Sequence, residues 1–545
     1  LTTHPASPVA APAAVLPISG LRARTAAIRE QATARSAAGY AVEALVAFTA
    51  ALILPISVRH LRLDPLDRIG QVSGLAALQL RFALVGIVLV AMLMAALRLR
   101  GSRHFPLVVR LSAAAAAGLA SGFVAGGAVI SLLGTPWPMF GLNGDSGRIV
   151  EWSSLVAHGH SVPPEALVYP PGPLYTLGYY AEWFRGGNTA YAFKDLQILG
   201  AAVTGPLAYL CWRLVLSPVR ALAFGVLPAF AIIDAYKPYS ATVLIMLVPV
   251  LAAMVRELSK SATQRWTPVL VKGAAFGVVL GVLFLTYSGW FVWSAAGVIA
   301  AAAIFFPWRT GLLKGAGFLG ATVAAFVVVA GSYAVTLLQQ SATTVDKNFS
   351  FDTKTDPAYF LMWRTDMPGK VGQWPVPGEL GGIGLFAIVL FVCLGVCLWL
   401  GMRKPFVVTV VCMFASAWVM RMYFASEMYS TQTVQLWLRT DNQLLYCALI
   451  LGGLAVHLVV RELTARGKFP SPQTAVIGAF VGLLFLFGSV ASSMSDRYMP
   501  AKENSYKILP WVSHTVRELN GKCPTYAPNH TCSQDGDQTW QQLIQ

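Results

Sequence analysis

The chain has 545 residues, enough for several soluble domains, yet 56% are hydrophobic, only 12% are charged, and the mean hydropathy is +0.61. Soluble domains carry about 25% charged residues, so a soluble multidomain protein is excluded and an all-α polytopic membrane protein is expected. The net charge of +16, from 40 Lys and Arg against 24 Asp and Glu, does not argue for nucleic acid. No basic, aromatic-interleaved soluble segment is present to hold one, and membrane proteins collect such an excess in cytoplasmic loops.

Residues 1–38 are Ala- and Pro-rich with Arg22, Arg24, Arg29 and Arg35, and lack the apolar core of a cleaved signal peptide. They read as a cytoplasmic N-terminal tail. The membrane domain is expected over 39–493, with about thirteen spans near 39–57, 77–98, 108–133, 190–216, 219–236, 238–256, 269–286, 289–307, 313–338, 380–401, 405–425, 441–460 and 472–493. Alternate connections carry Arg98 to Arg103, Arg213 and Arg220, Arg256 to Lys272, Arg309 and Lys314, Arg403 and Lys404, and Arg461 to Lys468. That bias puts them in the cytoplasm, although Arg59, Arg62 and Arg68 on the first outer connection run against it.

Three outer segments exceed simple turns: the large loops 134–189 and 339–379, and the C-terminal segment 494–545. Within the first, Ile149, Trp152, Leu155 and Val156 fall on one helical face, the pattern of a helix lying along the membrane interface. Leu167 to Phe184 is aromatic and Pro-rich and reads as too broken to span. Five of the seven Cys lie in apolar runs, whereas Cys523 and Cys532 stand in the polar tail and would bridge in an oxidising compartment.

The segment Gly141 to Trp152 gathers more candidate chemistry than any other stretch. Asp145 follows the third span directly, and a carboxylate there suits a general base for an acceptor hydroxyl. The plainer role is a cap on the following helix. Arg148 would orient Asp145 or meet a phosphate. His158, His160 and Glu165 match no standard metal spacing and read more simply as solvated loop residues. The Tyr169-Pro170-Pro171-Gly172-Pro173 run is either a rigid cavity wall or a plain re-entrant turn.

Lys194, Lys237, Arg421 and Arg439 fall on the same outer side and together would make a positive pocket, while Tyr239, Tyr287 and Glu427 stand at outer turns beside them. There is no phosphate-binding glycine loop and no Cys metal motif. No nucleotide cofactor is therefore expected, and a divalent metal is left undecided.

These residues carry a resemblance. By layout over 39–500 the chain resembles the lipid-phosphate-sugar-dependent GT-C glycosyltransferases, and within them the actinobacterial galactan 5-O-arabinofuranosyltransferases. The family's outer-loop Asp, Arg and acid are matched by Asp145, Arg148 and Glu151, and its Tyr-Pro-Pro-Gly turn by Tyr169 to Gly172. Its Phe-Lys is matched by Phe193-Lys194, its Pro-Tyr by Pro238-Tyr239, and its Leu-Arg by Leu438-Arg439. The chain departs from the family in a shorter Asp-to-Arg spacing, in Lys237 where an acid is expected, and in a much smaller C-terminal segment.

The resemblance implies a GT-C bundle in the plasma membrane with its site on the extracytoplasmic face. It implies decaprenyl-phosphoryl-arabinofuranose as donor, galactan as acceptor, and an inverting displacement. Asp145 would be the base, and Lys194 and Arg439, with Arg421, would hold the leaving phosphate. Arg148, Glu151, Tyr169, Lys237, Tyr239, Tyr287 and Glu427 would complete the substrate contacts. Two rival readings stand beside it: a GT-C enzyme moving mannose or another sugar from polyprenyl phosphate, and a transporter or flippase for lipid-linked sugars.

Overall fold

The computed structural model describes residues 18–98, 105–139, 144–340, 385–431, 440–465, 472–502 and 507–537. These residues are mostly helical, and among them the one β feature is an isolated bridge between Val516 and Ser533. Nine helices among the described residues are long and apolar enough to cross a membrane, so the chain is a multi-pass helical membrane protein. The other four expected spans are helical at Thr189–Arg213, Pro218–Ile232, Gly289–Phe305 and Leu385–Gly401. Three of these are short and the first opens on Lys194 and Asp195, so thirteen crossings are not all met by length and composition.

The centre of the bundle is the helix Phe105–Ser131, whose apolar window is 89% buried. Its sequence explains why. Ala113 to Ala128 is almost entirely Ala, Gly and Ser, and small residues let helix backbones approach where no hydrophobic force drives them together. Gly118 and Gly122, one turn apart, sit so close to Ala47, Ala50 and Ala51 that a methyl group at either would collide with that helix backbone. The Ile18–Val58, Arg68–Arg98, Thr189–Arg213 and Pro472–Arg497 helices all pack on this core. By contrast, the Leu312–Gln340 window is 17% buried, with Val323, Val327 and Val328 facing outward as lipid-exposed residues do.

Ion pairs mark the two ends of the bundle. At one, the fully buried Glu43 carboxylate meets Arg110 at 2.5 Å and Arg213 at 3.0 Å. Glu257, near the tail of the Pro238–Ser259 helix, meets Lys272 at 2.6 Å and Arg256 at 3.0 Å. The head of that same helix, at Lys237, belongs to the other end, with Asp145. There too Asp496 holds Arg68 and Lys507, each at 3.2 Å.

One sequence expectation needs correcting. The second span begins at Arg68 rather than 77, giving a 31-residue helix. Its polar start is sheltered, since Gln71 donates to the carbonyls of Pro65 and Pro500 and Arg68 pairs with Asp496. The stretch Leu167 to Phe184, expected to be too broken to span, holds the end of a 3₁₀ turn over Pro164–Val168 and then a 15-residue helix over Pro171–Arg185, which is not among the helices long and apolar enough to cross a membrane. Pro171 and Pro173 lie in its first turn, where the missing N–H is not needed.

The C-terminal segment is folded, not loose. Cys523 and Cys532 form a disulfide. Ser513 donates to Pro138 O at 2.6 Å, Thr135 donates to Ser513 O at 2.7 Å, and the Thr525 N–H donates to Gly134 O at 2.9 Å. The segment thereby clamps the start of the first large loop.

Candidate active site

A helix spans Gly144–Ala157 and buries Ile149, Trp152 and Val156 of the expected apolar face against the protein. Gly144 begins it with φ +64, a conformation that L side chains rarely adopt. Asp145 then falls in the first turn, where a carboxylate is favoured by the helix dipole. The helix is fixed from below: Ser153 donates to Leu174 O at 2.8 Å, and Thr189 donates to Val150 O at 2.9 Å.

Two distant chain segments converge on the Asp145 carboxylate. The Tyr169 hydroxyl donates to Oδ1 at 2.7 Å, and the Lys237 ammonium lies 2.5 Å from Oδ2. Tyr169 is steadied by the Trp152 ring in an edge contact at 4.8 Å. Burial first, and then the hydrogen bond to Asp145 and its charge, push the Tyr169 hydroxyl up to about 12, while Arg148 beside the same hydroxyl pulls the other way. Tyr169 is thus a firm donor at any physiological pH. The Asp145 side chain is 39% exposed.

Lys237 caps the Pro238–Ser259 helix and lies 5.9 Å from the centre of the Tyr239 ring. Tyr239 is 6.4 Å from Tyr287, which in turn is 5.5 Å from Trp290, and the Trp290 indole donates to Ser240 O at 2.7 Å. This row of rings makes an aromatic wall beside the acid–cation pair. Gly172 closes the arrangement from the first loop, since an added Cβ would come 2.9 Å from Leu285 O.

The remaining predicted residues are distributed differently. Lys194 turns to the backbone, donating to Thr135 O at 2.5 Å and Leu132 O at 3.1 Å. Arg421 is buried and pairs with Asp441 at 2.5 Å, and Glu427 accepts from Ser430 at 2.8 Å. Glu151 is exposed. Arg439, together with residues 341–379 of the loop expected over 339–379, lies outside the described residues. His158 holds Ser154 O at 2.7 Å, and among the described residues no three His, Cys, Asp or Glu side chains gather to hold a metal ion. Of the cations expected to line an open pocket, Lys194, Lys237 and Arg421 are each engaged by protein. Leaving a half-buried ammonium or guanidinium unpaired costs several kcal/mol, on the order of the desolvation of one ion.

Sequence reasoning missed Asp234, whose carboxylate accepts from the Tyr236 N–H at 2.8 Å and whose charge faces Lys237 and Arg497. The signal was present, because an Asp three residues before a Lys-Pro start is typical of a turn that its side chain stabilises. No protein-family model matches the chain, and no characterised protein matches it in sequence.

Proposed function

We propose that the chain is a membrane glycosyltransferase that moves a sugar from a polyprenyl phosphate to a glycan hydroxyl. The specific reaction favoured by its motifs is arabinofuranosyl transfer from decaprenyl-phosphoryl-arabinofuranose to galactan, at the extracytoplasmic face of the plasma membrane. The observation that carries this reading is the pairing of Asp145 with Lys237 beside Tyr169 and an aromatic wall, at one end of an apolar bundle. The disulfide in the C-terminal segment, packed against the same loop, agrees with an oxidising compartment.

In this reading Asp145 takes the acceptor proton as the acceptor oxygen attacks the anomeric carbon. The bond from that carbon to the phosphate oxygen breaks with inversion through an oxocarbenium-like state. As the carboxylate gains its proton, Lys237 loses its partner, and negative charge builds on the leaving phosphate at the same moment. The ammonium is then free to follow that charge, which is electrostatic stabilisation aimed at the transition state. Tyr169 holds the carboxylate in place throughout, and the aromatic wall gives the sugar a flat apolar surface.

The test is sugar transfer by the purified full chain in nanodiscs, from synthetic polyprenyl-phosphoryl arabinofuranose or mannose to a galactofuranose oligosaccharide. Transfer of arabinofuranose that is lost in Asp145→Asn, with donor binding kept, supports the reading. Transfer from the mannosyl donor alone keeps the enzyme class and changes the donor. Donor movement across the bilayer without transfer, unaffected by Asp145→Asn, overturns it in favour of a flippase.

A further inference from the structure

At the opposite end of the bundle from Asp145, three cations from three distant parts of the chain meet. Arg220 lies one turn before Phe224, whose ring is 5.9 Å from that of His457 and rests on Gly453. His457 stands one turn before Arg461 on the Thr440–Ala465 helix. The neighbouring Leu458 lies against Gly401, where an added Cβ would be 3.2 Å away, and the Lys404 N–H donates to Gly401 O at 2.8 Å. These contacts bring Arg220, Lys404 and Arg461 to one place. Electrostatics agree, because the Lys404 ammonium is pushed down by burial and then by Arg461 and Arg220.

Five other basic groups at this end are paired with carboxylates. Glu43 serves Arg110 and Arg213, and Glu257 serves Arg256, Lys260 and Lys272. Among the described residues no carboxylate forms an ion pair with Arg220, Lys404 or Arg461. Like charges held together without a counter-ion repel, and a half-buried site strengthens that repulsion over its value in water. The cost is relieved by an anion.

The surroundings indicate which one. Arg220 and Arg461 reach the surface, while Val456 and Val460, on the same turns as Arg461, are 59% and 40% exposed. A charged rim above an outward apolar strip fits an amphiphile, with acyl chains on the valines and an oxyanion among the cations. Basic pockets between membrane helices hold phospholipid headgroups in this manner.

We propose that Arg220, Lys404 and Arg461 form a binding site for a phosphate oxyanion, supplied by the headgroup of an anionic phospholipid. The test uses the full chain in nanodiscs of equimolar phosphatidylcholine and phosphatidylglycerol, released in mild detergent, with retained lipid counted by native mass spectrometry. Wild type is expected to favour phosphatidylglycerol by about tenfold, the size of one lost charge-assisted contact. Arg220→Gln with Arg461→Gln should lose that preference, whereas Arg220→Lys with Arg461→Lys keeps the charge and most of the preference. The exposed pair Arg265→Gln with Arg309→Gln serves as the control and should change nothing. A rise in melting temperature with inorganic phosphate, without lipid retention, keeps the oxyanion site and makes its source soluble. Equal retention of both lipids with no effect of phosphate overturns the proposal, as does equal loss in the control pair. Melting curves for every variant separate loss of binding from loss of fold.

Discussion

Lys237 and Asp145 stand 92 residues apart in the chain, and their charged atoms meet at 2.5 Å. If the two act as one unit in proton and phosphate handling, their substitutions will not add. Asp145→Asn is expected to lower kcat by about 10²–10⁴, the range of a lost general base. Lys237→Met should cost about 10²-fold, the loss of one preorganised electrostatic contact. The double variant should be little worse than Asp145→Asn alone, as for residues of one catalytic unit. Rates in nanodiscs for all four forms decide it, and strictly additive losses would separate the two roles.

Tyr169 makes a prediction in pH. Its folded hydroxyl is raised to about 12 from an ordinary value near 10. Between these values the unfolded chain has given up the proton and the folded chain has kept it. The contribution is fully present below about pH 10 and is lost as pH rises through 12. Tyr169→Phe should flatten that part of the stability curve while lowering stability at neutral pH through the lost hydrogen bond. Melting temperatures from pH 9 to 12 test it, and identical alkaline slopes in the two proteins would show that Tyr169 does not titrate late.

The apolar runs and the outer loop were legible from sequence because they are written locally. Twenty apolar residues suffice to place a membrane helix, and Ile149, Trp152 and Val156 announce their own buried face. The destinations of the long cations were not legible. Lys194 was expected to face a phosphate, but the Phe105–Ser131 helix ends just where Lys194 can reach the carbonyls that follow it. Such terminal carbonyls lack helical partners and carry the negative end of the dipole. Asp145 choosing Lys237, and Arg421 choosing Asp441, likewise depend on which helices pack side by side. Glu43 was missed, although a single carboxylate inside an apolar span was itself the signal.

His514 gives the opposite pH dependence to Tyr169. It is buried in the C-terminal segment with Nε2 2.9 Å from Ser131 O, and burial first, then the charge of Lys194, bring it down to about 4. The unfolded chain binds a proton near pH 6.5 and the folded chain does not until about 4. Stability from this group is present above pH 6.5 and is lost as pH falls through 4, an effect on the order of 3 kcal/mol if complete. Wild type should therefore weaken across that window, with the C-terminal segment released from Thr135 and Pro138, while His514→Gln should weaken less. Limited proteolysis of the 507–537 segment as a function of pH reads this directly. Cleavage that ignores pH would mean that the clamp does not depend on the imidazole.

Glu43 tests what holds the other end of the bundle. Its carboxylate is fully buried and is shared by Arg110, Arg213 and the Tyr209 hydroxyl, the last at 3.0 Å. Glu43→Gln would leave two guanidinium groups in a space built for one anion, and breaking such a pair from one side costs about 3–5 kcal/mol. Pairing it with Arg213→Met removes one of the stranded charges and should recover part of the loss. The recovery is the informative quantity, because a carboxylate that merely filled space would gain nothing from losing Arg213. Thermal unfolding of the single and double variants in the same nanodiscs measures it. A double variant less stable than Glu43→Gln would show that Arg213 acts mainly through its hydrogen bond to Leu216 O, at 2.7 Å, and only secondarily through Glu43.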